Sequence, residues 1–435
     1  MKKLALVFFL LLPFIDLITA LSTRFNWFPV SIGVVIKSIY LLILTIYIFF
    51  ISKSKHRKKY IYSFILVLIY ALFFFVTKTY LFDISPFIKE AIPLFKIVYG
   101  TLIFFAFLVL LDDFKYEEKD IIRLMFYSLI AFTLMLIIPI ITGTNFNSYV
   151  THGNAGSVGW FYSANEIGPL MLMLFPFLFI YVEKFNKNKF YYLLLIPVIY
   201  AIFALGTKAS WFGLIAIILF TLIIYLLKRE KINKIIIILI TLLSVIVLSF
   251  VSPSLSNFNK NVKRANTVTK TTTKTTSTTT NSLCKSHNIS KLIDNKIIVK
   301  GINALLSGRE NKAYTFSLIY INSDSVDQLF GLGYTFNKKH DCYINRFIEI
   351  DVLDALFHYG IFGLLILLLP FIYIIYLIIR NGILLNKNNL IYIIVTIILI
   401  GASSIAGHII GYPTPNIFLD LYLILIALNL KKKIV

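Results

Sequence analysis

"EIDVLDALFHYGIFGLLILLLPFIYIIYLII", Glu349 to Ile379, joins a cluster of ionisable side chains to an apolar run. The run, about 355–379, is long enough to cross a hydrocarbon core as a helix. Ahead of it, Asp351, Asp354 and His358 recur at i, i+3 and i+7, which places them on one helical face. The stretch therefore reads as a membrane helix whose outer end carries carboxylates. The helix dipole favours acids in a first turn, which accounts for one acid better than for four ionisable groups. A metal set of Glu349, Asp351, Asp354 and His358 has no characteristic ligand spacing to support it.

Apolar runs of this kind recur along the whole chain. Its 435 residues are 59% hydrophobic and 14% charged, with 40 Phe and 26 Tyr. A soluble core cannot hide that much apolar side chain, so the class is an all-α, polytopic membrane protein. Twelve spans are expected, at about 4–21, 28–50, 60–78, 96–112, 121–142, 165–182, 190–206, 209–227, 233–252, 355–379, 389–410 and 413–430. Lys and Arg crowd segments 1–3, 51–59, 113–120, 183–189, 228–232, 380–388 and 431–435. The short alternate segments carry only Arg24, Lys78, Lys89, Lys96 and Lys208. The asymmetry puts both termini in the cytoplasm and the one long loop, 253–354, outside. Residues 1–252 then hold nine spans and 355–435 the last three.

The formal charge of +22 is explained by this topology and by anionic lipid, so no nucleic-acid partner is expected. "MKKLALVFFLLLPFIDLITALS" also resembles a secretory signal, but an uncleaved first span keeps the parity. Asp16 and Lys37, at comparable depth on the first two spans, are expected to pair, because unpaired charges there are expensive. His408 and Asp420 read as deeper residues of the last two spans.

Within the loop, "TVTKTTTKTTSTTTN", 267–281, has no apolar period and reads as a flexible tether. The second half of the loop looks folded over the membrane surface. Cys284 and Cys342 both fall outside; a disulfide between them would contribute roughly 4 kcal/mol by loop entropy, the other reading being two unpaired thiols.

Three outward stretches can carry chemistry. "NAGSVGWFYSANEIGPLM", 154–171, runs from a Gly-rich loop into a span, with Ser163 and Glu166 spaced as a capping box and Asn165 and Glu166 as polar groups at the membrane mouth. "ALGTKASWFGL", 204–214, places Lys208 at a helix start, as a snorkelling cation or as part of an anion site. "SGRENKAYTF", 307–316, offers the Arg309 fork, suited to phosphate oxygens or to an ion pair with Glu310 or a neighbour.

In this order the stretches resemble the O-antigen ligase/polymerase family of bacterial membrane glycosyltransferases, over about Gly159 to Leu369. "GWFYSANEIG", "GTKAS", "LLSGRE", "LFGLG" and an ionisable residue ahead of "GIFG" each match a family pattern. Lys208 stands where many members have Arg. "EID" stands where ligase-like members have His, which favours the polymerase side, particularly of capsule or teichuronic-type systems. The resemblance implies transfer of a glycan from undecaprenyl diphosphate to a sugar hydroxyl on another lipid-linked unit, without metal or cofactor. Lys208 and Arg309 would hold the diphosphate. Glu349, Asp351 and Asp354 would be the candidate catalytic acids, with Asn165, Glu166 and His358 in support. Membrane lipid and other polysaccharide assembly proteins are the further partners it implies. The alternatives are a ligase using another acceptor and, from a different class, a lipid-linked glycan flippase. A flippase should show pseudo-symmetric halves with charges in a central cavity, whereas here the long loop follows the ninth span and the charges lie outside. A reporter active only outside the cytoplasm, fused within 267–281, should be active; activity of a cytoplasm-only reporter there would overturn the orientation.

Overall fold

The computed structural model describes residues 2–28, 30–78, 84–149, 155–185, 187–268, 301–302, 306, 309–334, 336–337, 342–343 and 347–431. Cys284, the Cys342 side chain and the tether beyond Val268 lie outside these. The chain is helical almost throughout: α1 Lys2–Arg24, α2 Ile32–Phe50, α3 Arg57–Thr77, α4 Ile84–Phe114 and α5 Glu118–Thr142 come first. A small hairpin, β1 Phe146–Asn147 with β2 Ser157–Gly159, precedes α6 Ala164–Leu174 and α7 Pro176–Lys184. A 3₁₀ turn, Lys189–Leu194, leads to α8 Leu195–Ala204, α9 Lys208–Leu227, α10 Ile232–Val251 and α11 Pro253–Val268. Then come α12 Arg309–Ile321, α13 Ser325–Phe330, α14 Asp351–Asn381, α15 Lys387–Ala406 and α16 Pro413–Leu428.

Among the described residues, ten helical segments are long and apolar enough to cross a bilayer. The stretches expected as the seventh and twelfth spans are shorter apolar helices, Lys189–Ala204 and Pro413–Leu428. Helices suit this medium because each satisfies its own backbone groups where no water can. The peripheral helices turn large apolar side chains outward: Phe50, Leu227 and Ile379 are 82%, 73% and 79% exposed. In water such a surface would aggregate; in lipid it is the solvated face. The interior is continuous, and α16 is its post, with every side chain from Pro413 to Ala427 buried.

The connections fall into two groups at opposite ends. At one, Asp113 accepts from Ser52 and Tyr47 hydroxyls at 2.5 and 3.1 Å. There also Glu118 pairs with Lys184 at 2.7 Å, and Glu183 with Lys387 and Lys234. These are the Lys-rich segments of the sequence, and Lys184, Lys234 and Lys387 there have carboxylate partners. At the other end, Arg24 donates to the Phe161 and Tyr162 carbonyls at 2.9 and 3.1 Å and lies over the Phe146 ring. Lys78 meets Asp327 at 2.5 Å, and Glu90 accepts from the Tyr334 N–H. That end, which carries the long 252–350 connection, is the loop end.

There α14 is not one straight helix. It breaks at Gly360, whose φ is 69°, releasing carbonyls that the loop then satisfies. Leu332 N–H donates to Phe357 O at 2.8 Å and Gly333 N–H to His358 O at 3.0 Å. The Tyr70 hydroxyl donates to Tyr359 O at 2.7 Å. A Cβ on Gly360 would lie 2.3 Å from Leu329 O, and one on Gly331 2.2 Å from His358 O. The "GLG" and "GIFG" patterns are thus two halves of one close backbone contact. Gly360→Ala should cost on the order of 1–3 kcal/mol through strain and collision. Gly143→Ala, at φ 71° with open space around it, should cost about 1 kcal/mol. Thermal midpoints in detergent check this; equal drops would mean the contact is not held.

Candidate functional site

The acids that open α14 have separate surroundings. Asp351, 4% exposed, accepts from the backbone N–H groups of His408, Ile409 and Ile410, each at 2.8 Å, and from the Ser403 hydroxyl at 2.6 Å. Asp354 accepts from the N–H groups of Ile348, Glu349 and Ile350 at 2.7, 2.9 and 3.2 Å. Acceptor-only carboxylates suit these clusters of backbone donors. Both are engaged by the chain itself, Asp351 by the turn between α15 and α16 and Asp354 by the segment entering α14. His358 is fully buried; its Nδ1 is 2.9 Å from Gly333 O and its Nε2 3.7 Å from Asp354 Oδ1. The four ionisable groups therefore do not converge on one point.

Glu349 is the one that faces outward. Held at φ 70°, its side chain is 36% exposed and meets Arg309, whose Nη2 and Nε donate to Oε2 at 2.8 and 3.2 Å. Arg309 thus pairs forty positions away and not with its neighbour Glu310. Lys312 Nζ is 3.7 Å from Oε1, and His408 Nε2 is 3.9 Å from Oε2, beyond hydrogen-bond reach. Burial alone would raise this carboxyl, but His408, Arg309 and Lys312 more than offset it and hold it at about 2.

His408 lies in the turn after α15, because that helix ends at Ala406; the expectation of a deep position in a span is corrected. Asp420 does remain deep, fully buried on α16. Beside His408 lies Tyr412, with ring centres 4.6 Å apart and the rings tilted at 46°, and over Tyr412 lies Lys96 of α4 at 5.5 Å. Glu166 lies within electrostatic range of His408 and Lys96. It does not form the expected capping box, since Ser163 makes no side-chain cap. Asn165 is half-buried on the same first turn. Beneath them Lys37 donates to Asp16 at 2.9 Å, as expected from the sequence, and also to Thr414 at 2.6 Å.

Lys208 begins α9 across the cluster. Thr207 caps the helix by accepting from Ser210 N–H. Buried Asn257 of α11 bridges Ala155 and Gly206 through three hydrogen bonds of 2.6–2.9 Å. The rest of "GTKAS" is thereby tied down, and half-buried Lys208 sits 5.9 Å over Phe258 within electrostatic range of Arg309. The structure thus brings together Glu349, Arg309 and, at longer range, Lys208, and it places Glu166 on the other flank of His408. As members of this cluster, Lys96, Lys312, His408 and Asn257 were missed by sequence reasoning. Only His408 carried a signal, the helix stop Gly407 followed by Pro413.

Asp351→Asn turns an amide N–H₂ toward donors and should destabilise by about 1–3 kcal/mol, read as a lower thermal midpoint. Glu349→Gln, in a half-exposed pair, should stay within about 1 kcal/mol of the parent. Because the Glu349 carboxyl is depressed from 4.5 to about 2, its contribution is complete above pH 4.5. It is lost as pH falls toward 2.

No curated protein and no solved structure matches the chain. A family model described as "O-antigen ligase like membrane protein" matches residues 1–433, taking in both loop groups and every residue of the cluster. With that span covered, and a helical membrane scaffold beneath the charged mouth, the chain belongs to the O-antigen ligase-like membrane proteins.

Proposed function

We propose that the chain joins oligosaccharide repeat units carried on undecaprenyl diphosphate, building a surface polysaccharide at the outer face of the bacterial cytoplasmic membrane. Both termini are then cytoplasmic and the loop end faces outward. The family supports membrane glycan transfer in surface polysaccharide biosynthesis; the finer reading rests on one carboxylate beside several cations. Glu349 is ionised, partly open to solvent and surrounded by Arg309, Lys312 and His408.

The donor diphosphate binds Arg309, Lys312 and Lys208 and draws Arg309 away from Glu349. Freed of that charge, the carboxylate becomes a stronger proton acceptor. The acceptor hydroxyl oxygen attacks the anomeric carbon, its proton passes to Glu349, and the carbon–oxygen bond to the diphosphate breaks. The departing negative charge is stabilised where the cations stand. Asp351 and Asp354 serve by holding the backbone on either side of Glu349, and Lys96 and Glu166 line the acceptor's approach.

The family description favours a second reading, a ligase that transfers finished glycan to another acceptor through the same chemistry. The two differ in product. Purified protein in vesicles with lipid-linked repeat units should yield a ladder of lengths, and deletion of the gene should collapse the ladder seen on a gel of surface polysaccharide. A single addition product would favour the ligase, and no transfer at all would overturn both. Glu349→Gln should lower the rate by about 10²–10⁴. Arg309→Ala should lower it at least tenfold, and Lys208→Arg should be tolerated. Full activity of Glu349→Gln would end its assignment as the base.

A further inference from the structure

Between α5, α8 and α10, at the loop end, is a cavity of about 340 Å³, within the range of small-ligand sites. Its walls are Ile140, Tyr200, Phe203 and Leu248, and its rim Gly156 and Ser252. Tyr200 is 51% and Leu248 41% exposed, so one side of the cavity is formed by apolar side chains that also reach the outer surface of the helices. Apolar cavities stay dry and accept apolar guests. Its far wall includes Ala204, the start of the turn that delivers Lys208. That turn is pressed on the rim, since a Cβ on Gly206 would lie 2.5 Å from Ala155 O and 3.4 Å from the Gly156 Cα.

We infer that this cavity seats the stretch of isoprenoid chain nearest the diphosphate of the lipid carrier. A chain lying in it ends at the 204–208 turn, with its head on Lys208 and, within electrostatic range, Arg309 and then Lys312. Several cations around one head suit a diphosphate better than the single phosphate of a membrane phospholipid. The volume admits a short length of one chain, not two parallel acyl chains. The inference rests on the donor reading above and adds where the carrier's tail is gripped.

The test uses the full-length protein in vesicles and a polyprenyl diphosphate with a diazirine in its first isoprene unit. Labelling should fall on Tyr200, Phe203 or Leu248 and be displaced by undecaprenyl diphosphate. Ala204→Trp and, as a second filling variant, Leu248→Trp should cut that labelling at least tenfold at unchanged thermal midpoint. They should raise KM for the lipid-linked donor while leaving kcat/KM for a glycan diphosphate that carries no isoprene unit unchanged. If the variant protein does not fold, labelling of the parent decides alone. Labelling elsewhere while the parent still transfers glycan would overturn the cavity assignment and leave the donor reading standing. No transfer from any lipid diphosphate would overturn the donor reading itself. A diazirine phosphatidylglycerol that labels the cavity and resists displacement would make it a phospholipid seat and overturn the inference.

Discussion

Asp351 fastens three parts of the chain at one point. Its two oxygens take the N–H groups of three consecutive residues, 408–410, and the Ser403 hydroxyl. An unsatisfied peptide group near the hydrocarbon costs several kcal/mol, so a turn that presents three N–H groups in a row needs an anion to close on. Once that carboxylate sits there, the start of α14 is locked to the turn between α15 and α16. Glu349, two residues upstream, is then forced beside His408. Asp354 completes the arrangement by gathering the N–H groups of 348–350, which holds Glu349 in the φ > 0 conformation that aims it at Arg309.

The spans were legible because apolar composition over about twenty residues has few other meanings in a chain this hydrophobic. The Asp16–Lys37 pair was legible for the same reason: charges in lipid must find each other. The division of labour among the acids was not. Asp351 and Asp354 share a helical face and Glu349 lies just ahead of the helix, yet what separates the three is which groups reach them. Sequence spacing does not contain that information. Ser163 and Glu166 matched a local rule, yet Ser163 makes no side-chain cap. Lys96, Lys312 and His408 were invisible as a group because they come from three separate elements, and Asn257 because nothing local marks an Asn that will bridge two remote turns.

Glu349 and Arg309 also form a pair that neutralises itself at rest. In water such a pair contributes little, and its use is as a placeholder. It keeps a guanidinium and a carboxylate aligned at modest cost, and any anion that competes for the guanidinium changes the carboxylate's basicity in the same event. Under the proposed mechanism, binding and activation become one step, coupled through a single shared ion.

The burial of α16 has a consequence for how the molecule is made. At 16 residues it is about 24 Å long, short of a full bilayer, which is tolerable because protein encloses it on every side. It also leaves the ribosome after every helix that surrounds it. Until it arrives, α4, α5, α6 and α15 surround an unfilled groove, and Lys37 has Asp16 but not Thr414. The scaffold therefore cannot close from its N-terminal side forward. It waits on this one segment, and a chain that stops short of it would present an open seam to the membrane's surveillance proteases.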